Sequence, residues 1–202
     1  MAKRSGDLIM RDRLQFTLDG GGDLTTVYGR MDLSAYTTGR KGLAIKEVKF
    51  HLRDPTDGGN CGIFSISAMA GSSSGSAAGV GNYKLYATTR AYENASDVGI
   101  ASPDVLCVEE GQWIVSPLIA AGGADLGTGT SNYAVWDRKW YGPDDLHPEG
   151  FTVVSDLLIG IAFDDWTLRA SDTLELDVLI IADEITVTTE RMNALLTQQQ
   201  DL

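Results

Sequence analysis

Apolar residues in this chain recur at every second position, and that period commits most of it to half-buried β-strands. Leu14, Phe16 and Leu18 alternate with Arg13, Gln15 and Thr17, and then Asp19-Gly-Gly-Gly-Asp23 breaks the run. That reads as a strand and a tight turn into residues 24–28. Between residues 43 and 53, Leu43 and Ile45 hold one parity while Val48, Phe50 and Leu52 hold the other. A phase change inside one strand predicts a bulge near Lys46-Glu47. Asp54-Pro-Thr-Asp-Gly-Gly59 supplies the next turn, and short apolar strands are expected at 61–69, 83–92, 104–109 and 112–119. The aromatic stretch 133–141 follows. Residues 151–163 alternate with a break at Ser155, and Leu174, Leu176, Val178 and Ile180 alternate before a β-branched run at 185–189. Eight or nine strands with some joints of ten or more residues suit a two-sheet antiparallel sandwich.

Only the last segment carries a helical period. Thr188 or Thr189 can cap it, Glu190 falls in the first turn, and Met192, Leu195 and Leu196 form an i, i+3, i+4 stripe. A helix this short needs a surface for that stripe, on its own domain or on a neighbour. Two stretches rich in Gly, Ser and Ala, 70–81 and 120–131, read as surface loops.

With 202 residues the default is one domain, which buries roughly 70% of its unfolded surface without staples. The two cysteines, Cys61 and Cys107, allow one bridge at most, and reduced thiols are the default in a cytoplasm. The apolar run at 157–163 is far below the ~20 residues of a membrane-crossing helix, and residues 1–13 are charged with no apolar stretch of a signal peptide behind them. Net charge is −12, unevenly spread. Residues 1–53 hold ten Lys/Arg against six acids, and the remainder holds six against 22. Lys3, Arg4, Arg11 and Arg13 are the basic groups of the N-terminal arm. They are too few to neutralise many phosphates, so nucleic-acid contact through them is weak at most.

No motif nominates an enzyme. His51 lies on the outward parity of a strand and His147 lies in the acidic stretch Asp144-Asp-Leu-His-Pro-Glu149. Gly71-Ser-Ser-Ser-Gly75 matches a nucleophile-elbow pattern but sits in low-complexity sequence without the strand and helix that strain such a serine. Asp54 with Asp57, and Asp144 with Asp145, are candidates for a structural Ca²⁺, which takes six to eight oxygen ligands. No other cofactor is indicated. Trp136 and Trp140, in Tyr133-Ala-Val-Trp-Asp-Arg-Lys-Trp-Tyr141, suit an end cap of the core, a protein interface or a sugar-stacking surface.

The layout resembles the single jelly-roll capsid proteins of small icosahedral viruses: a short charged arm at 1–13, about eight strands across 14–187, two small-residue loops and a terminal helix and tail at 188–202. Residues 83–103, with Ala87-Thr-Thr-Arg-Ala-Tyr-Glu93, and the tail 188–202 are similar to capsid-like proteins of uncultured marine viruses. The resemblance implies an all-β jelly-roll sandwich with a short C-terminal helix. It also implies a non-enzymatic subunit of a virion, assembled in the host cytoplasm from copies of itself and meeting other virion proteins. Leu8, Ile9, Met10, Trp136, Trp140, Met192, Leu195 and Leu196 are then the candidate intersubunit contacts. The stub of basic residues, where many genome-packaging capsids carry a long Arg-rich arm, suits a shell lined by something other than nucleic acid. The alternative reading is a carbohydrate-binding β-sandwich of an adhesin or phage tail.

Overall fold

Alternation becomes antiparallel pairing in the computed structural model, which describes residues 7–56, 61–64, 79–117 and 132–200. Nine strands stand among the described residues: β1 (Leu8–Thr17), β2 (Thr25–Met31), β3 (Lys41–Arg53), β4 (Gly79–Thr88), β5 (Val105–Pro117), β6 (Asn132–Tyr141), β7 (Phe151–Val153), β8 (Leu157–Asp164) and β9 (Thr173–Thr186). Helix α1 (Pro143–Leu146) is one turn, and α2 (Thr189–Gln200) is the terminal helix. One sheet has the order β1-β9-β3-β7 and the other β2-β8-β4-β5-β6. The pairs nest: β1 with β9, β2 with β8, β3 with β7, and β4 with β5. Successive pairs fall in opposite sheets, and β9 with β3 and β8 with β4 complete each sheet. This is the connectivity of a jelly roll, with β6 added beyond β5.

The core lies between the inward parities. Leu157, Ile159, Ile161 and Phe163 of β8 and Leu174, Leu176, Val178, Ile180 and Ala182 of β9 are almost wholly buried. Ser155 falls in the gap between β7 and β8, so the one flaw in that alternation marks a strand break. In β3 the register against β9 shifts between Ile45 and Glu47. Lys46 is the extra residue, and Ile45, Val48 and Phe50 all reach the interior across it.

Several boundaries differ from the sequence reading. β1 starts at Leu8, not at 14, because pairing from Leu8↔Ala182 to Thr17↔Thr173 is imposed by β9. The charges of Arg11, Asp12 and Arg13 hide that continuity in the sequence. β4 ends at Thr88 instead of 92, where the Thr88 hydroxyl donates to backbone carbonyls at Arg90 and Asp104 and turns the chain. The runs 104–109 and 112–119 are one strand as far as Pro117, and Gly111 is not a turn. It stands beside Tyr83 in the ladder, and a Cβ there would lie 2.0 Å from the Tyr83 ring. Gly160 plays the same part under Tyr86, where a Cβ would meet the ring at 2.1 Å. The run 185–189 splits between β9 and α2. Of the strand expected at 61–69, residues 61–64 show only a bridge, Ile63 to Arg53, and 65–69 lie outside the described residues. So do residues 70–78 of the loop expected at 70–81, whose last three residues belong instead to β4, together with residues 120–131 and the Gly71–Gly75 pattern.

Helix α2 begins where the Thr188 hydroxyl accepts the Arg191 N–H at 3.2 Å. Its stripe packs on this same chain: Met192 and Leu195 are buried against Val154 and Val187, with Leu196 half-buried at the margin.

Gly111→Ala and Gly160→Ala each push a methyl into a buried tyrosine ring, and overpacking of this kind costs about 1–3 kcal/mol. Urea titration of each variant is expected to show a lower midpoint with an unchanged slope.

Candidate functional site

Three residues of β7 cannot cover thirteen of β3. β7 pairs with Leu43, Ala44 and Ile45 alone, so past the bulge β3 has β9 on one side and, among the described residues, no strand on the other before the bridge at Arg53. In the opposite sheet β6 is, among the described residues, the last strand and bonds only to β5. On this flank the two sheets gape. An open cleft of about 750 Å³ lies between Val48 and Phe50 of β3, Arg138 and Trp140 of β6, and Asp144 and Asp145 of α1.

The inward parity of β6 is Trp136, Arg138 and Trp140, set in register against Trp113, Gly111 and Glu109 of β5. Trp140 is half-buried, edge-on to Phe50 with centroids 5.8 Å apart. Trp136 stands edge-on to the buried Trp113 at 5.7 Å, yet it keeps 50% of its surface in water. Arg138 Nη2 donates to Glu109 Oε2 at 2.6 Å, and the Tyr83 hydroxyl donates to Glu109 Oε1 at 2.9 Å. Tyr83, Gly111 and Arg138 form one row across β4, β5 and β6, so the absent side chain at Gly111 leaves room for both neighbours to reach the same carboxylate. Burial, and then the charge of Glu109, pushes the Tyr83 phenol well above its usual range, so it remains a donor. The Glu109 hydrogen bond likewise raises Arg138. Glu109 is thus a buried, paired charge that clamps three strands together. Its signal was present in the sequence as an acid on the inward parity of Cys107, Gly111 and Trp113.

The residues expected at interfaces are distributed unevenly. Met10 lies in the core, Leu8 is half-buried against it and Ile9 is 48% exposed. Trp136 is open and Trp140 partly covered. Arg11 and Arg13 project from the outer face of β1, and Arg13 Nε is 2.6 Å from Asp177 Oδ1. Lys3 and Arg4 lie outside the described residues, as does Asp57.

Asp54, one of the Ca²⁺ candidates, has its carboxylate turned inward as the counter-ion of buried Arg169. Arg169 also donates to Asp172 at 2.7 Å and lies over the Phe64 ring at 5.0 Å. Asp144 and Asp145 are exposed on α1, where Asp145 accepts the Gly142 N–H at 2.8 Å. Among the described residues no three His, Cys, Asp or Glu side chains gather as a metal site. His51 is exposed 3.8 Å from Asp177, and His147 Nε2 is 2.7 Å from the Val105 carbonyl. Cys61 is exposed, Cys107 is buried, and the two are unpaired.

No family model matches the chain, and no curated protein matches it. Among solved structures it is similar to the crystal structure of the tailspike protein of Acinetobacter baumannii phage AM24, at 11% identity over 82% of this chain and 27% of that one, with a TM-score of 0.19. The chain spans about a quarter of that protein's length, and a superposition this loose carries no argument.

Burial alone would raise the Asp54 carboxyl, but hydrogen bonds from Arg169 and Thr56 outweigh it and hold the group below its ordinary value. Its contribution to stability is therefore complete above the unfolded-state value of 3.8 and is lost as pH falls through the lower folded-state value. Arg169→Met, which strands the buried carboxylate, is expected to cost about 3–5 kcal/mol at pH 7. The stability gap between the native chain and Asp54→Asn is expected to narrow as pH drops below 3.8, read by denaturant titration at each pH.

Proposed function

We propose that this chain is a structural subunit of a virion shell that associates with copies of itself. The observation carrying the reading is the open flank, where β3 past its bulge and the whole outer edge of β6 carry no further strand among the described residues and Trp136 stands half in water beside them. An exposed strand edge offers unpaired N–H and C=O groups to another chain, and closed symmetric arrays bury such edges against identical copies. A two-sheet block with one unfinished side is a unit that such an array completes. The acidic balance of −12 and the engagement of Arg13 by Asp177 favour contacts with protein over contacts with a genome. In this reading the subunit is made in the host cytoplasm with both thiols free and ends in the virion. Its partners are further copies and other virion proteins, and it performs no catalysis.

Size-exclusion chromatography with light scattering, followed by negative-stain microscopy, tests the proposal. The expected result is concentration-dependent oligomers that close into rings or particles. A strict monomer at high concentration, in low and high salt alike, overturns it.

A carbohydrate-binding module is the second reading, favoured by the half-exposed Trp136 with the Arg138 guanidinium 5.9 Å from its ring. It requires saturable glycan binding that Trp136→Ala abolishes at unchanged melting temperature. The shell reading requires loss of assembly in that variant and no glycan signal in the native chain.

A further inference from the structure

We propose that β6 pairs antiparallel with β6 of a second copy about a two-fold axis through Arg138, so that one five-stranded sheet runs into the next; this rests on the self-association proposed above. β6 is the terminal strand of its sheet and pairs with β5 over ten residues without a register shift, so its outer edge is straight and long enough to template a partner. The other edges are poorer templates. β7 has three residues, and β2, with seven, matches the seven residues 135–141 that this register pairs in β6 only when its axis falls on Tyr28, the middle of the strand. β1 matches β6 in length but sets the exposed Asp12 on the inward parity of Met10 and Leu14, a charge that would be carried into any extended core.

The register follows from charge. A two-fold axis normal to a sheet pairs residues of equal parity, and the outward face of β6 presents Asp137 and Lys139 two positions apart. Both are exposed, and neither forms an ion pair among the described residues. An axis through Arg138 sets Asp137 opposite Lys139 of the second copy, and the symmetry makes that pair twice. The same axis puts Trp136 opposite Trp140 and Val135 opposite Tyr141. Moving the axis to Asp137 sets that acid against itself, and moving it to Lys139 does the same for the lysine. At Trp136 the axis sets Asp137 against Val135. Like charges directly opposite destabilise a ladder and opposite charges support it. The axial Arg138 does meet its own copy, but each guanidinium is already neutralised by its Glu109 at 2.6 Å.

An apolar row on the outer face agrees with this placement. Val80, Ile114 and Val135 are register partners across β4, β5 and β6, and Val80 and Ile114 are 41% and 37% exposed. The row stops at the free edge. In the proposed register Tyr141 of the second copy continues it.

The test uses two full-length variants, Asp137→Lys and Lys139→Asp, with association followed by light scattering and sedimentation velocity. Each variant alone sets like charges opposite twice, and its dimer dissociation constant is expected to rise at least tenfold over the native chain. Mixing the two restores opposite charges at both positions, so a one-to-one heterodimer of near-native affinity is expected. Both side chains are exposed, and an unchanged circular dichroism spectrum and melting temperature show that each variant folds. If the native chain assembles and the single variants assemble as tightly, or if the mixture fails to recover, the β6 pairing is overturned while the shell reading stands. If the native chain is monomeric throughout, both are overturned.

Discussion

Backbone N–H and C=O groups along a strand need partners, and the lengths of neighbouring strands decide which of them find one inside the fold. β3 runs for thirteen residues and its neighbour β7 for three. Everything distinctive about this molecule follows from that mismatch. A β7 of full length would run beside the rest of β3 and cover the half-buried Trp140. As it is, β6 overhangs the cleft, its Arg138 and Trp140 line one wall, and among the described residues its outer edge pairs with no strand while a regular ladder stands behind it.

The rest of the fold holds that edge in place. β8 and β9 are the strands through which each sheet is joined, and their inward residues are buried almost completely. β4 transmits the order to β5 through two tyrosines that lie over glycines of its neighbours, which fixes both registers, since a slip by one residue would drive each ring into a side chain. From there Glu109 ties Tyr83 to Arg138 and so fixes β6 against β5. The exposed edge is thus backed by a chain of sterically and electrostatically determined contacts.

Much of this was legible in the residues. The alternation of β8 and β9, the parity switch at Lys46 and the capped stripe of α2 all stand where the pattern put them, because each is a local property of a few consecutive side chains. The nested pairing was not, since Leu8 and Ala182 are brought together by topology and no local period encodes it. Charges misled at β1, where the edge position tolerates Arg11 and Arg13 in a strand. The two strands expected at 104–109 and 112–119 are one, and the partner that gives Gly111 its place inside it, Tyr83, lies in another strand. Asp54 read as a surface turn residue because its mate, Arg169, is 115 positions away. Of the aromatic segment, the strand was legible but the division of roles was not: Trp140 caps the core and Trp136 stays open, and only the position of β3 across the gap separates them.

The bulge carries one more implication. Because Lys46 is supernumerary, removing it would leave Ile45 and Glu47 in step with Ala182 and Ile181 and return every later side chain to its present face. β3 therefore tolerates a one-residue deletion at a single place, and a deletion elsewhere in it would turn a stretch of its interior outside. What the shortened strand would forfeit is curvature, together with the Lys46 ammonium that links Asp7 to Asp183.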